Sequence, residues 1–194
     1  MALQEGNVAQ YRKTDRMIGD WLKQYPLKTN KWGPFFEEVG QWSDTEINAG
    51  TLAWYALEHP RWDRNWREDA RSAQDWVTKT LGIDYWKLYG LTVIGEQTVY
   101  HMQGQSHSSR HASVELLYAE KTGDDSRKAE AIRLLNWATY MVDFDGKNWY
   151  PTSKTVKSGG PTVMEITFVT ICARWGPRLN WPLLDKTICC GRAQ

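Results

Sequence analysis

SDTEINAGTLAWYALEHPRWDRNWREDARSAQDWVTKTLG (residues 43–82) and SHSSRHASVELLYAEKTGDDSRKAEAIRLLNWATYMVD (residues 106–143) each read as a helix, a tight polar turn and a second helix. In the first, Ser43 and Glu46 have the spacing of a capping box, which predicts a helix starting near Asp44. Pro60 removes a backbone donor and biases His59 away from helical dihedrals, so that helix ends there. From Arg61 the chain is expected to turn back into a long helix with Trp62, Trp66, Ala70, Ala73, Trp76 and Val77 on one side, closing at Gly82. The second stretch predicts a helix from residues 106–108 through Val114, Leu117 and Tyr118 to Thr122-Gly123-Asp124. Its partner, residues 126–142, carries Ala129, Ile132, Leu135, Ala138 and Thr139.

The two stretches also align with each other. Setting Trp76 on Trp137 puts Ala73 on Leu134 and Ala70 on Ala131, an offset of 61, and before the turn Ala56 falls on Ala119 at an offset of 63. A unit of this length cannot bury its apolar face alone, so stacking of units is required. The fold class expected is all-α, with antiparallel helical hairpins arranged side by side in a ring or solenoid. Twelve Trp and nine Tyr supply large side chains to fill the space between hairpins, or flat faces on which a sugar ring can stack.

Outside the hairpins the pattern is less regular. Residues 7–25 place Tyr11, Ile18, Trp21, Leu22 and Tyr25 at helical spacing, with Pro26 expected to stop the helix. A loop rich in aromatics follows, and residues 83–105 read as an extended connection with a short strand or helical turn. Residues 1–160 are expected to form one domain. Residues 161–194 form an atypical tail that holds all three cysteines, Cys172, Cys189 and Cys190. Read one base out of frame, this tail permits a glycine turn and an amphipathic helix, the start of a further hairpin; the chain is then a truncated ring with a shifted end, and the alternative is a genuine C-terminal strand or irregular extension.

Lys and Arg (24) nearly balance Asp and Glu (23), so the driving force for sequence-independent nucleic-acid binding is missing and no nucleic-acid partner is expected. No apolar run reaches the roughly 18 residues of a membrane span, and the N-terminus does not read as a signal peptide. The compartment stays open, a mature exported chain included. Three cysteines with an adjacent pair make neither a disulfide framework nor a zinc pattern, and no cofactor is expected.

The run N-x-G-T-L-A-W-Y-A-L-x-x-P at residues 48–60, the helix ending A-x-D-W-V at residues 73–77, and serial α-hairpins rich in Trp and Tyr resemble the (α/α) toroids of the six-hairpin glycosidase type over residues 40–150. The resemblance implies part of an (α/α) toroid, about half a ring, with a carbohydrate funnel at one end of the inner helices. It implies a carbohydrate-active protein, a polysaccharide or oligosaccharide hydrolase or lyase. The rival reading is a non-catalytic helical-repeat scaffold or partner-binding module. An open half-ring exposes apolar helix faces, so self-association is expected.

Chemistry concentrates in YHMQGQSHSSRHASVE, residues 100–115. His107, His111 and Glu115 recur every fourth residue and are expected on one helix face, with Arg110 beside them. Two histidines four apart can ligate zinc, yet the glutamate of HExxH is missing, and no metal is assigned. The expected catalytic set is His101 or His107 as general acid or base, Arg110 as a clamp for a uronate carboxylate, and Asp143 with Asp145 as the loop acids of a hydrolase. Asp44, Glu46 and Glu96 are further acids, the first two explained by helix capping. The expected substrate-binding set is Trp32, Trp42, Gln103, Gln105, His111, Trp149 and Tyr150, and Phe35 and Phe36 share the loop of Trp32.

Overall fold

The structure, a computed structural model, describes residues 8–34, 41–61 and 63–139 of the 194. The chain is helical there and has no strand: α1 (Val8–Leu22), α2 (Glu46–Glu58), α3 (Trp66–Leu81), α4 (Gln105–Thr122) and α5 (Asp125–Thr139). A π-helical turn, Lys23–Leu27, continues α1, and a 3-10 helix, Asp84–Tyr89, lies between α3 and α4. The tail and the end of the second hairpin, with Asp143, Asp145, Trp149, Tyr150 and the proposed domain limit at 160, lie outside the described residues, as do Phe35, Phe36 and Trp62.

Both hairpins form as their local signals dictate. Helix α2 stops at Glu58 with His59 as its C-cap, ahead of Pro60. Helix α4 stops where Gly123, at φ 79°, returns its N–H to the Ala119 carbonyl; a side chain in this left-handed conformation would be strained. Asp124 then accepts from the Ser126 N–H and hydroxyl at the start of α5. The facing surfaces of α2 and α3 are lined by Ala49, Ala53, Ala56, Ala70 and Ala73, all fully buried. Small side chains let the two helices approach closely, while Leu52, Leu57, Val77 and Leu81 fill the remaining core. Burying each such aliphatic side chain stabilises by about 1.5–3 kcal/mol.

The repeat is visible in the packing. Ala70 and Ala131, Ala73 and Leu134, and Ala56 and Ala119 are buried pairwise as aligned. The two aligned tryptophans each meet a tryptophan from the loop before their own hairpin: Trp76 lies 5.8 Å from Trp32, and Trp137 lies 6.0 Å from Trp86. Helix α4 packs on both α2 and α3. The first two turns of α4 are cross-linked to the first turn of α2 by side chains of Glu46, His107 and Arg110, so these two helices start at the same end.

Three boundaries differ from the sequence expectation. Pro26 does not stop the first helix: the chain widens into the π-helical turn and continues, because Pro26 is buried and Leu22 and Leu27 pack on the core. Helix α2 begins at Glu46, not Asp44, with Thr45 as N-cap. Thr45 Oγ1 accepts from Ile47 N–H at 3.4 Å and donates to the Glu96 carbonyl at 3.0 Å. Ser43 instead accepts from Val99 N–H at 3.3 Å, so no capping box forms. Helix α3 begins at Trp66, five residues after Arg61, once Asp63 has accepted the Asn65 N–H.

The connection between hairpins positions the site. Thr98 N–H reaches the Asp44 carbonyl at 2.9 Å, and Glu46 N–H reaches the Glu96 carbonyl at 3.2 Å, so residues 96–98 lie against the entry to α2. Ile94 N–H is held by Ser108 Oγ at 3.0 Å, which ties the same connection to α4.

Candidate functional site

Glu46 is the centre of the polar cluster at the shared end of α2 and α4. It is fully buried, and Arg110 grips it through Nε at 2.9 Å and Nη2 at 2.5 Å from Oε2. Burial alone would raise its pKa. The hydrogen bond from His107 and the charge and hydrogen bonds of Arg110 outweigh burial, and the pKa is lowered. Its place in the first turn of α2 also favours negative charge.

His107 is buried between two carboxylates. Its Nδ1 lies 3.4 Å from Glu46 Oε2 and 3.0 Å from Arg110 Nη2, and its Nε2 lies 3.9 Å from Glu96 Oε1. Nδ1 can accept from the guanidinium or donate to the carboxylate, one role at a time. Two glycines make room. A Cβ on Gly104 would come within 2.5 Å of the His107 ring, and one on Gly50 within 2.8 Å of Glu46 Oε1.

The predicted His107–His111–Glu115 face divides: His111 and Glu115 stay together, and His107 faces a different helix. Successive i+4 steps advance about 400°, so each turns about 40° further around the helix. His107 therefore meets α2, while His111 turns to α3, where its Nε2 lies 3.0 Å from Thr78 Oγ1. His111 Nε2 also lies 3.5 Å from Glu115 Oε1, and Arg127 Nη1 of α5 reaches the same oxygen at 3.3 Å. Complete burial lowers the His111 pKa to about 4. Burial raises that of Glu115 to about 8, against the opposing charge of Arg127. His111 is thus a buried element of the α3–α4–α5 interface and offers no surface to a substrate.

The other expected residues scatter. His101 bonds the Leu81 carbonyl at 2.9 Å through Nε2, and its ring covers Gly95. Gln103 accepts from Trp86 Nε1 at 2.9 Å and so holds an aromatic side chain in place. Gln105 is the first residue of α4. Trp42 is exposed, its Nε1 bonded to Asp44 Oδ1 at 3.1 Å. Trp32, expected as an open loop ring, is buried against Trp76, with its main-chain N–H on Asp44 Oδ1 and its carbonyl on Asn48 Nδ2 at 2.7 Å.

Trp32 also forms the wall of a groove of about 690 Å³ between α1 and α2. Ile18, Trp21 and Leu22 line it from α1, Ile47, Thr51 and Leu52 from α2, and Asp15, Lys31, Asn48 and Tyr55 add polar groups. The Trp32 indole N–H is buried and has no acceptor among the described residues. The sequence places Trp21 only at helical spacing and ends α1 at Pro26, so this groove is not legible in it. Sequence reading missed Glu46 because capping explained that residue locally. The available signals were Gly50 four residues after Glu46 and the 61-residue offset between Glu46 and His107, the repeat length itself.

Among the described residues no group of three or more His, Cys, Asp or Glu is placed to hold a metal ion, and no helix is long and apolar enough to cross a membrane. No family model matches the chain, and no curated protein or solved structure matches it.

Proposed function

We propose that the chain is a carbohydrate-active protein of the (α/α) toroid type whose saccharide site is the groove between α1 and α2. The observation that carries this reading is the composition of that groove. Trp21 presents an exposed ring, and Asp15, Asn48, Lys31 and Tyr55 border an apolar floor. A pyranose has an apolar face for the ring and oxygens for the donors. The shared starting end of α2 and α4 supports a partial ring, in which these are the inner helices and their exposed flanks associate with further copies.

A catalytic step, hydrolase or lyase, draws on a different feature: His107 set between Glu46 and Glu96 at the shared helix end. Against a free uronate clamp stands the occupation of Arg110 by Glu46. Binding in the groove is therefore the leading function, and proton transfer at His107 the second.

Calorimetric titration with xylohexaose and hexagalacturonate tests the first. The expected outcome is binding that Trp21→Ala weakens about tenfold, in keeping with the loss of one aromatic contact. Unchanged binding in Trp21→Ala together with lost binding in His107→Ala would move the site to the cluster. Release of reducing ends or of unsaturated products, abolished by His107→Ala, supports the catalytic reading.

A further inference from the structure

We infer that α1 is a lid, hinged at the π-helical turn, that closes on the groove when a saccharide occupies it; this rests on the saccharide reading above. α1 is fastened to the core at its C-terminal end. Leu22 and Leu27 pack on the core, Pro26 is buried, and Lys23 Nζ lies 2.9 Å from Asp63. Further along, the Tyr55 hydroxyl of α2 donates to Asp15 Oδ1 at 3.0 Å.

The apolar stripe between these two ties is not buried. Ile18 is 54% and Trp21 56% exposed, although both line the groove. Gly19 between them is buried and has no side chain to hold the two helices apart. The wide turn at Lys23–Leu27, with Pro26 inside it, lacks a full set of backbone rungs and bends more easily than α-helix. Closing over an empty groove would leave walls without partner atoms, and such voids forfeit dispersion energy. An occupant supplies those atoms, so closure and occupancy favour each other.

Hydrogen exchange of the full chain, read on peptides spanning residues 8–22, tests the lid with xylohexaose and with the apolar dye anilinonaphthalene sulfonate as probes, binding of each being followed by calorimetry. The expected result is that a bound probe slows exchange of α1 about tenfold. Tyr55→Phe, which removes one surface hydrogen bond and leaves the core intact, should speed exchange of α1 about threefold in the free protein. If xylohexaose binds without slowing α1, the lid is overturned and the saccharide reading stands. If the dye binds and slows α1 while xylohexaose does not bind, the lid stands and the saccharide reading falls. Binding of neither probe overturns both.

Discussion

Helix α4 carries two buried carboxyl clusters within a few residues of each other, and their pKa values are displaced in opposite directions. At its start, Glu46 of α2 receives two N–H groups of Arg110 and stands in the first turn of its own helix, and its pKa is lowered. Further along, Glu115 lies inside α4, receives an Arg127 N–H at 3.3 Å, and has a second oxygen without a partner among the described residues. Arg127 is shared with Asp75 at 2.8 Å, so its charge is divided, and burial keeps Glu115 protonated up to about pH 8. Depth is similar in the two places. The number and exclusivity of donors decides ionisation.

The largest effect should come from breaking the first cluster. Arg110→Met leaves the Glu46 carboxylate buried without its partner and should cost about 3 kcal/mol in denaturant unfolding, at the lower end for such pairs because Arg110 is partly exposed. Glu46→Leu combined with Arg110→Met should recover most of that loss, since both charges then leave together.

The second cluster should show itself as a pH dependence. Between pH 4.5 and 8 folded Glu115 holds a proton that the unfolded chain has released, so its contribution falls as pH rises. Between pH 4 and 6.5 the unfolded chain holds a proton that folded His111 lacks, so its contribution rises with pH. The two slopes offset each other up to pH 6.5. Between pH 6.5 and 8 the Glu115 slope remains, and stability should decline by about 2 kcal/mol. Glu115→Gln should remove that decline while costing under about 1 kcal/mol near pH 6, because the amide replaces a group that is already neutral.

Two smaller changes sharpen the contrast at Glu46. Gly50→Ala gains up to about 1 kcal/mol in helix propensity. Its Cβ, however, would lie 2.8 Å from a carboxylate that Arg110 holds in place, so a net loss of about 1 kcal/mol is expected in thermal unfolding. Thr45→Ala removes the N-cap acceptor and should cost about 1 kcal/mol or less, the weak 3.4 Å bond setting the low end.

The hairpins were legible because their signals are local. Pro60 and Gly123 end helices by what they do to their own backbone, and the alanines of α2 and α3 repeat with the helical period. The polar clusters were only half legible. His107 and Arg110 stand out in the sequence, yet their carboxylate lies 61 and 64 residues away and looked like half of a capping box. His111 was misplaced because a period of four was read as one face, where the drift of one step carries it from α2, which His107 meets, to α3. Pro26 misled for the opposite reason: burial of Leu22 and Leu27 overrode a strong local stop.

A carbon-detected NMR titration of the glutamate side-chain carboxyls measures both clusters in one sample. Glu46 should titrate below the ordinary range and Glu115 near pH 8; a common midpoint between pH 4 and 5 for both would contradict the opposed displacements on which the account of α4 rests.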